Sequence, residues 1–285
     1  MLNAKLALKS QFQPTSLINI SDQVTIGGSE IVIIGGPCAV ENLEQMETVA
    51  EKLIPDSVQA LRGGVYKPRT SPYSFQGLGQ EGLDIFAAIK NRWNISIVSE
   101  VMAVSQIEEM SACVDMFQVG SRNMQNFDLL KALGQAGKPV LLKRGLAATL
   151  EEFIFAAEYI LSHGNPQVVF CERGIRSFDN YTRNVLDLGT VAALKQLTHL
   201  PVIVDPSHAA GRRELIAPLA KAAIACGADG LIVECHPNPT ESVSDASQAL
   251  ALEEMVSLVD ALKPVATAVG RTIATSPRSR ELSLV

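Results

Sequence analysis

The 285-residue sequence has no Cys-x-x-Cys pair, no long apolar run, no excess of basic residues and no Pro/Gly/Ser-rich linker. Each absence removes a class of protein. The five cysteines (Cys38, Cys113, Cys171, Cys226 and Cys235) are odd in number and lack paired spacing. That argues against a disulfide framework or a zinc ribbon and for a reducing compartment. A bilayer-spanning helix needs about 20 predominantly apolar residues, and no stretch reaches that length. Residues 1–17 lack the apolar core of a signal peptide. The expected location is therefore cytoplasmic, with no membrane partner. A formal net charge of −6 speaks against a nucleic-acid partner, which favours a basic surface. It does not exclude a local basic pocket for a small anion.

What the sequence does contain is enough apolar material for a sizeable core, 47% against 19% charged residues. Eight short Val/Ile-rich runs occur at 31–34, 60–65, 95–98, 116–119, 140–142, 168–170, 202–204 and 231–233. None shows polar alternation, so each reads as a strand buried on both faces. Helical spacing fills the gaps at 43–53, 82–91, 104–112, 126–133, 150–161, 185–197 and 215–225, with 247–262 as an eighth helix. Thr149 ahead of Glu151 and Glu152 has the form of an N-cap with an acidic first turn. Eight alternations of strand and helix predict a parallel α/β protein. The number eight favours a closed (β/α)8 barrel of the TIM type, while the pattern alone also allows an open doubly wound sheet. Residues 1–30 read as an N-terminal extension, with 23–26, Gly27-Gly28 and 30–34 forming a β-hairpin into the barrel. Residues 31–264 form the catalytic barrel and 265–285 a C-terminal tail, polar and frayed from 271.

The runs end in chemically active residues: Cys38, Arg69, Glu100, Arg122, Lys143, Arg173, His208 and Glu234. Barrel enzymes carry their catalytic groups at the C-terminal ends of the strands. Closing the eighth strand against the first makes Cys38, His208, Glu234 and Asp245 neighbours. Singly, Cys38 reads as a small buried hydrophobe, His208 as a core histidine and Asp245 as a helix cap. Together they form a thiolate, imidazole and carboxylate set that suits Mn²⁺, Fe²⁺, Co²⁺ or Zn²⁺ better than Mg²⁺. His236 is a spare candidate, whereas strand alternation turns Cys235 to the opposite face.

Six cations, Arg62, Lys67, Arg69, Arg122, Lys143 and Arg173, lie at or just beyond strand ends. Cations gathered at a barrel mouth need anionic partners, and guanidinium groups hold phosphate and carboxylate by paired hydrogen bonds. One or two are expected to pair internally with Glu100, Glu172 or Asp205. The remainder suits two anionic substrates, or one with two anionic groups. Arg144, Arg212 and Arg213 are further candidates. The segment Lys67-Pro68-Arg69-Thr70-Ser71-Pro72 carries two prolines that fix the backbone and hold its charges in place.

Seven segments, in order, resemble the type I β-branch 3-deoxy-D-arabino-heptulosonate 7-phosphate (DAHP) synthases, relatives of 3-deoxy-D-manno-octulosonate 8-phosphate (KDO8P) synthase. They are GGPCAVEN (35–42), RGGVYKPRTSPYSFQG (62–77), GSRNMQNFDLL (120–130), KPVLLKRG (138–145), CERGIRSF (171–178), LPVIVDPSHAAGRR (200–213) and ADGLIVECHPNP (228–239). The resemblance runs from about residue 24 to 262. It implies a TIM barrel, a homodimer or homotetramer, and the first step of the shikimate pathway. In that step phosphoenolpyruvate, erythrose 4-phosphate and water give DAHP and phosphate. It implies that Cys38, His208, Glu234 and Asp245 hold the divalent metal. Arg122, Lys143 and Arg173, with Lys67, would hold phosphoenolpyruvate, and Lys67, Pro68, Arg69 and Thr70 would line the erythrose 4-phosphate site. Lys67, Cys38 and His208 are the candidate catalytic residues, and Arg62 joins the substrate-binding set. The Lys-Pro-Arg-Thr form at 67–70 separates this chain from KDO8P synthases, which resemble one another in an Asn-Arg-Ser type segment. Two departures stand out: Ser244-Asp245-Ala246 replaces the usual Ser-Asp-Gly, and Ser177-Phe178-Asp179 replaces Thr-Phe-Glu. Loss of the glycine is expected to disturb Asp245. The short extension predicts no feedback inhibition by phenylalanine or tyrosine. Rival readings are an arabinose 5-phosphate enzyme of the same superfamily, a silent metabolite-binding barrel and a Schiff-base aldolase using Lys143.

Overall fold

A computed structural model describes residues 3–11, 13–55 and 57–276. Two strands, β1 (Ile18–Ser21) and β2 (Val24–Ile26), form an antiparallel hairpin. Eight parallel strands follow: β3 (Glu30–Gly36), β4 (Ala60–Arg62), β5 (Ser96–Glu100), β6 (Met116–Val119), β7 (Val140–Lys143), β8 (Val168–Glu172), β9 (Val202–Val204) and β10 (Gly230–Glu234). Each pairs with its sequence neighbour. β10 then returns to β3, with Gly230 opposite Val32 and Glu234 opposite Gly36, which closes the barrel. The connecting helices are α1 (Leu43–Leu53), α2 (Gln80–Trp93), α3 (Gln106–Met110), α4 (Phe127–Gln135), α5 (Leu150–Ser162), α6 (Leu188–Leu197), α7 (Pro206–Ala210), α8 (Ile216–Ala225) and α9 (Leu252–Ala268).

The unbroken apolar runs are explained by burial on both faces. Ile31, Ile33, Leu61, Ile97, Phe117, Leu142, Phe170, Val204 and Val233 belong to the layer shared with the helices. The alternate residues Val32, Ile34, Ala60, Val98, Met116, Leu141, Val169, Ile203 and Ile232 fill the barrel interior. Burying one such side chain fully is worth about 1.5–3 kcal/mol. Helix starts are fixed locally. Asn42 accepts from the Gln45 amide, and Thr149 with Glu152 completes a capping box.

The eight sequence-read strands match β3–β10, with shifted ends. The run at 60–65 is strand only to Arg62. There Gly63 packs so closely that a Cβ would lie 2.9 Å from Val40 and 3.1 Å from Phe86. The hairpin differs from the expected one. Val24–Ile26 pairs back with Ile18–Ser21 around Asp22-Gln23, while Glu30–Gly36 belongs to the barrel. Ile18, Ile20, Val24 and Ile26 share the interior cluster, so the hairpin plugs the base of the barrel. The chain after α9 is also more ordered than a frayed tail. Thr272–Ile273 forms β11 and pairs with Glu30 and Ile31. Residues 277–285 of the expected tail lie outside the described residues. Among the described residues, no helix is long and apolar enough to cross a membrane.

Candidate active site

The site follows from strand alternation carried one step further. Two residues beyond the last inward apolar position, Ala60 leads to Arg62, Val98 to Glu100, Met116 to Gln118 and Leu141 to Lys143. By the same step Cys171 leads to Arg173, Ile203 to Asp205 and Ile232 to Glu234. One polar ring thus caps the apolar interior at the C-terminal end. Ile34 leads instead to Gly36, whose φ is +144° and where a Cβ would come within 2.2 Å of the Arg62 carbonyl oxygen. That close approach lets the chain turn across β4 and present Cys38.

Cys38, His208, Glu234 and Asp245 each offer one ligand atom, and these atoms lie within 4.8 Å of one another. Cys38 Sγ is 3.2 Å from Asp245 Oδ2. His208 Nε2 is 3.6 Å from Glu234 Oε2 and 3.9 Å from Asp245 Oδ2. The sequence reading did not foresee α7, the short helix that carries His208. Asp205 caps it, accepting from the His208 amide at 2.9 Å, and also accepts from His208 Nδ1 at 2.8 Å. That second bond fixes the tautomer with Nε2 as the free donor atom, as in many metal-bound histidines. Glu234 Oε1 is buried without a hydrogen-bond partner. A buried, orphaned carboxylate oxygen beside a thiol, an imidazole and a second carboxylate fits a divalent cation.

His208 and Asp245 stand in the form a metal ligand needs, whereas Cys38 and Glu234 hold protons that an ion would displace. Burial holds the His208 imidazole neutral, with a pKa of about 3. Burial pushes the Glu234 carboxyl up to about 7, against the pull of Arg62. Burial and then Glu234 raise the Cys38 thiol. For Asp245 burial acts upward, but His208, Arg183 and neighbouring groups outweigh it and hold the carboxyl well below its usual range.

Beside this cluster lies a cavity of about 540 Å³. Arg62, Lys67, Pro68, Arg69, Thr70, Arg122, Lys143 and Arg173 all line it, as do Cys38, His208 and Asp245. Lys67 Nζ donates to the Cys38 carbonyl at 2.8 Å and to its Sγ at 3.0 Å, so it spans the metal cluster and the 67–70 loop. Lys143 pairs with buried Asp205 at 2.5 Å, and Arg62 lies 4.0 Å from Glu234. Arg62 Nη1 and Arg69 Nη2 are buried without a hydrogen-bond partner, which suits them to an anionic substrate. Burial lowers the pKa of Arg173.

Several other sequence candidates fall elsewhere. Arg144 is buried in a structural cluster with Glu172, Asp187 and Thr190. Arg212 pairs with Glu214 and stacks over Tyr181, and Arg213 faces Glu254. His236 lies 3.3 Å from Glu41 rather than in the metal cluster. Cys235 belongs to the outer core, as alternation requires. With Ala246 next to it, Asp245 lies within reach of the other three groups. The left-handed residue is Asp245 itself, with φ 57°, and Ala246 is not among the positive-φ residues. Aspartate tolerates that conformation better than most side chains.

The sequence reading missed Arg176, Arg183, Asn184 and Gln118 on the cavity wall, and Gln248 behind Glu234. Gln118 could have been read from alternation on β6. Arg183 sits in an irregular loop that carries no periodic signal, and Gln248, read as part of an eighth helix at 247–262, lies in a turn before α9, which begins only at Leu252.

The sequence model of the DAHP synthetase I family matches residues 11–270. A phospho-2-dehydro-3-deoxyheptonate aldolase of Thermotoga maritima is 45% identical over 260 residues, covering 91% of this chain and 77% of the relative. A 2-dehydro-3-deoxyphosphooctonate aldolase of Syntrophotalea carbinolica is 32% identical over 251 residues, 81% of this chain and 90% of the relative. The crystal structure of a Thermotoga maritima DAHP synthase superposes with a TM-score of 0.91 at 42% identity, covering 96% of this chain and 79% of that one. A truncated form of the Thermotoga maritima enzyme gives 0.87 at 41% identity, covering 94% of this chain and 98% of that one. With its barrel, its ordered motifs and these matches, the chain belongs to the DAHP synthetase I family.

Proposed function

We infer that this chain is a 3-deoxy-7-phosphoheptulonate synthase, condensing phosphoenolpyruvate with erythrose 4-phosphate and water to give DAHP and inorganic phosphate, the first step of the shikimate pathway. The observation that carries this reading is a thiol–imidazole–carboxylate cluster opening onto a strongly cationic cavity, with Lys67 bonded to Cys38 between the two. The 45% identity to a heptonate aldolase, against 32% to an octonate aldolase, supports the four-carbon aldehyde as co-substrate.

In this reading Arg62, Arg122, Lys143 and Arg173 hold the carboxylate and phosphate of phosphoenolpyruvate and stabilise charge on the departing phosphate. Pro68, Arg69 and Thr70 hold the phosphate end of erythrose 4-phosphate. Carbon 3 of phosphoenolpyruvate attacks the aldehyde carbon, and Lys67 Nζ gives a proton to the developing alkoxide. Water adds at carbon 2, and the resulting phosphohemiketal loses phosphate. Glu100, buried at the end of β5 on the cavity wall, is the candidate base for that water. Cys38, His208, Glu234 and Asp245 would hold a divalent cation, which when bound supplies Lewis acidity toward the aldehyde oxygen. Their mixed donor set favours Mn²⁺, Fe²⁺, Co²⁺ or Zn²⁺.

Residues 31–264 are proposed as the catalytic unit, with 1–30 and 265–285 as extensions. A homodimer or homotetramer is proposed on the resemblance to the family. The odd cysteine count, with all five cysteines free, supports a cytoplasmic location.

The test is phosphate release from phosphoenolpyruvate with each aldose phosphate in turn. Turnover with erythrose 4-phosphate and at least about 100-fold less with arabinose 5-phosphate is expected, the scale of discrimination a few specific contacts provide. The reverse preference would make the chain a KDO8P-type enzyme.

A further inference from the structure

We propose that Arg183, through Gln248, is a positioning residue that orients the two carboxylates of the metal cluster. The inference rests on the reading of Cys38, His208, Glu234 and Asp245 as the ion's ligands. Arg183 lies in the loop between β8 and α6, far in sequence from all four. Its Nη1 donates to Asp245 Oδ1 at 2.8 Å and to Gln248 Oε1 at 3.1 Å. Gln248, itself buried, donates from Nε2 to Glu234 Oε2 at 2.7 Å. One guanidinium therefore holds one carboxylate directly and the other through an amide whose orientation it fixes. The other Asp245 oxygen, Oδ2, accepts from Ser244 Oγ at 3.3 Å and faces Cys38 Sγ and His208 Nε2. Glu234 Oε2, the oxygen that Gln248 holds, is also the one 3.6 Å from His208 Nε2, while Oε1 is buried without a hydrogen-bond partner.

The same loop also braces the third ligand. The Arg183 amide donates to the Ala210 carbonyl at 3.0 Å, and the Asn184 amide donates to Ala209 at 2.8 Å. Asn184 Nδ2 donates to the His208 carbonyl at 3.0 Å. The fit is close. At Gly211, the left-handed cap of α7, an added Cβ would lie 2.5 Å from Arg183 Cβ. The Arg183–Asp245 ion pair is partly solvent-exposed, 40% at the arginine, and such pairs add little to global stability. Its value lies in orientation. A carboxylate free to rotate must lose that freedom when the ion binds, and outer partners of this kind set metal affinity.

The test is a Co²⁺ titration of the ion-free protein, read at the thiolate-to-cobalt charge-transfer absorption that a ligated Cys38 gives. The parent should show the band and Cys38→Ser should lack it. A parent without the band would overturn the ligand reading and this inference with it. Given the band, Arg183→Ala and Gln248→Ala should each weaken Co²⁺ binding by about 10–100-fold. The double variant should lose less than the product of the two, because both act on one chain of contacts. Arg183→Lys should recover part of the loss. At saturating Co²⁺ the KM for phosphoenolpyruvate of Arg183→Ala should stay at the parent value. Unchanged Co²⁺ affinity in Arg183→Ala, or a raised KM without weaker Co²⁺ binding, would make Arg183 an anion-binding residue and overturn the proposal. Should Arg183→Ala fail to fold, Gln248→Ala and Arg183→Lys read the same affinity and decide it alone.

Discussion

Cys38 and Glu234 of the proposed metal site hold protons that must leave before an ion can bind. Burial keeps the Cys38 thiol above its ordinary range and lifts Glu234 to about 7. His208, already neutral with a pKa of about 3, and Asp245, held ionised, release none. Affinity for a divalent ion must therefore rise with pH. The slope of log affinity against pH should be about two below pH 7, where both groups are protonated, and about one just above it. Titration calorimetry in buffers of different ionisation enthalpy measures the released protons directly. An affinity that does not change between pH 6 and 8 would remove both Cys38 and Glu234 from the ligand set. Asp205 works on the other side of His208. It joins an imidazole of the metal cluster to Lys143 of the anion cavity by two bonds to one oxygen, so the two halves of the site share a charge partner.

The hairpin and the short helix α7 show how single elements serve the whole. β1 and β2 place Ile18, Ile20, Val24 and Ile26 in the interior cluster at the end of the barrel away from the mouth. Ile26 is fully buried. Ile26→Ala should lower unfolding stability by about 2–5 kcal/mol, the usual cost of emptying such a position. Its kcat should stay close to the parent value, since no cavity-lining residue belongs to the hairpin. Urea melts and steady-state kinetics on the same preparation separate the two effects. A collapse of kcat with unchanged stability would mean that the base of the barrel communicates with the mouth. At the mouth, α7 is only five residues long and owes its start to Asp205 and Pro206. A helix so short gives no period to read, which is why His208 was expected simply at a strand end.

Across the molecule, the eight strands were legible because a parallel barrel buries both faces of each strand and leaves uninterrupted Val/Ile runs. The polar ring was legible for a related reason, since charge at the end of an apolar run is costly unless it is used. Arg62, Glu100, Lys143 and Glu234 all declare themselves in this way. What stayed hidden depends on contacts between segments distant in sequence. The partner of β2 was misread because Gly27-Gly28 looks like a tight turn, whereas the chain reverses at Asp22-Gln23. Arg183 was invisible because its loop carries no periodicity, and Gln248 because helical spacing at 247–262 hid a turn; the two meet only after the barrel closes. The tolerance of Ala246 likewise depends on a backbone angle, that of Asp245, which one sequence does not display. The central claim, a metal-dependent condensation at the mouth of this barrel, is tested most directly by one turnover experiment. Phosphoenolpyruvate and erythrose 4-phosphate are supplied to the protein with and without chelator, and DAHP and phosphate are both measured. Equal amounts of the two products, abolished by chelator and restored by Mn²⁺ or Co²⁺, are expected. Undiminished turnover in fully chelated protein, or phosphate released without DAHP, would contradict the account.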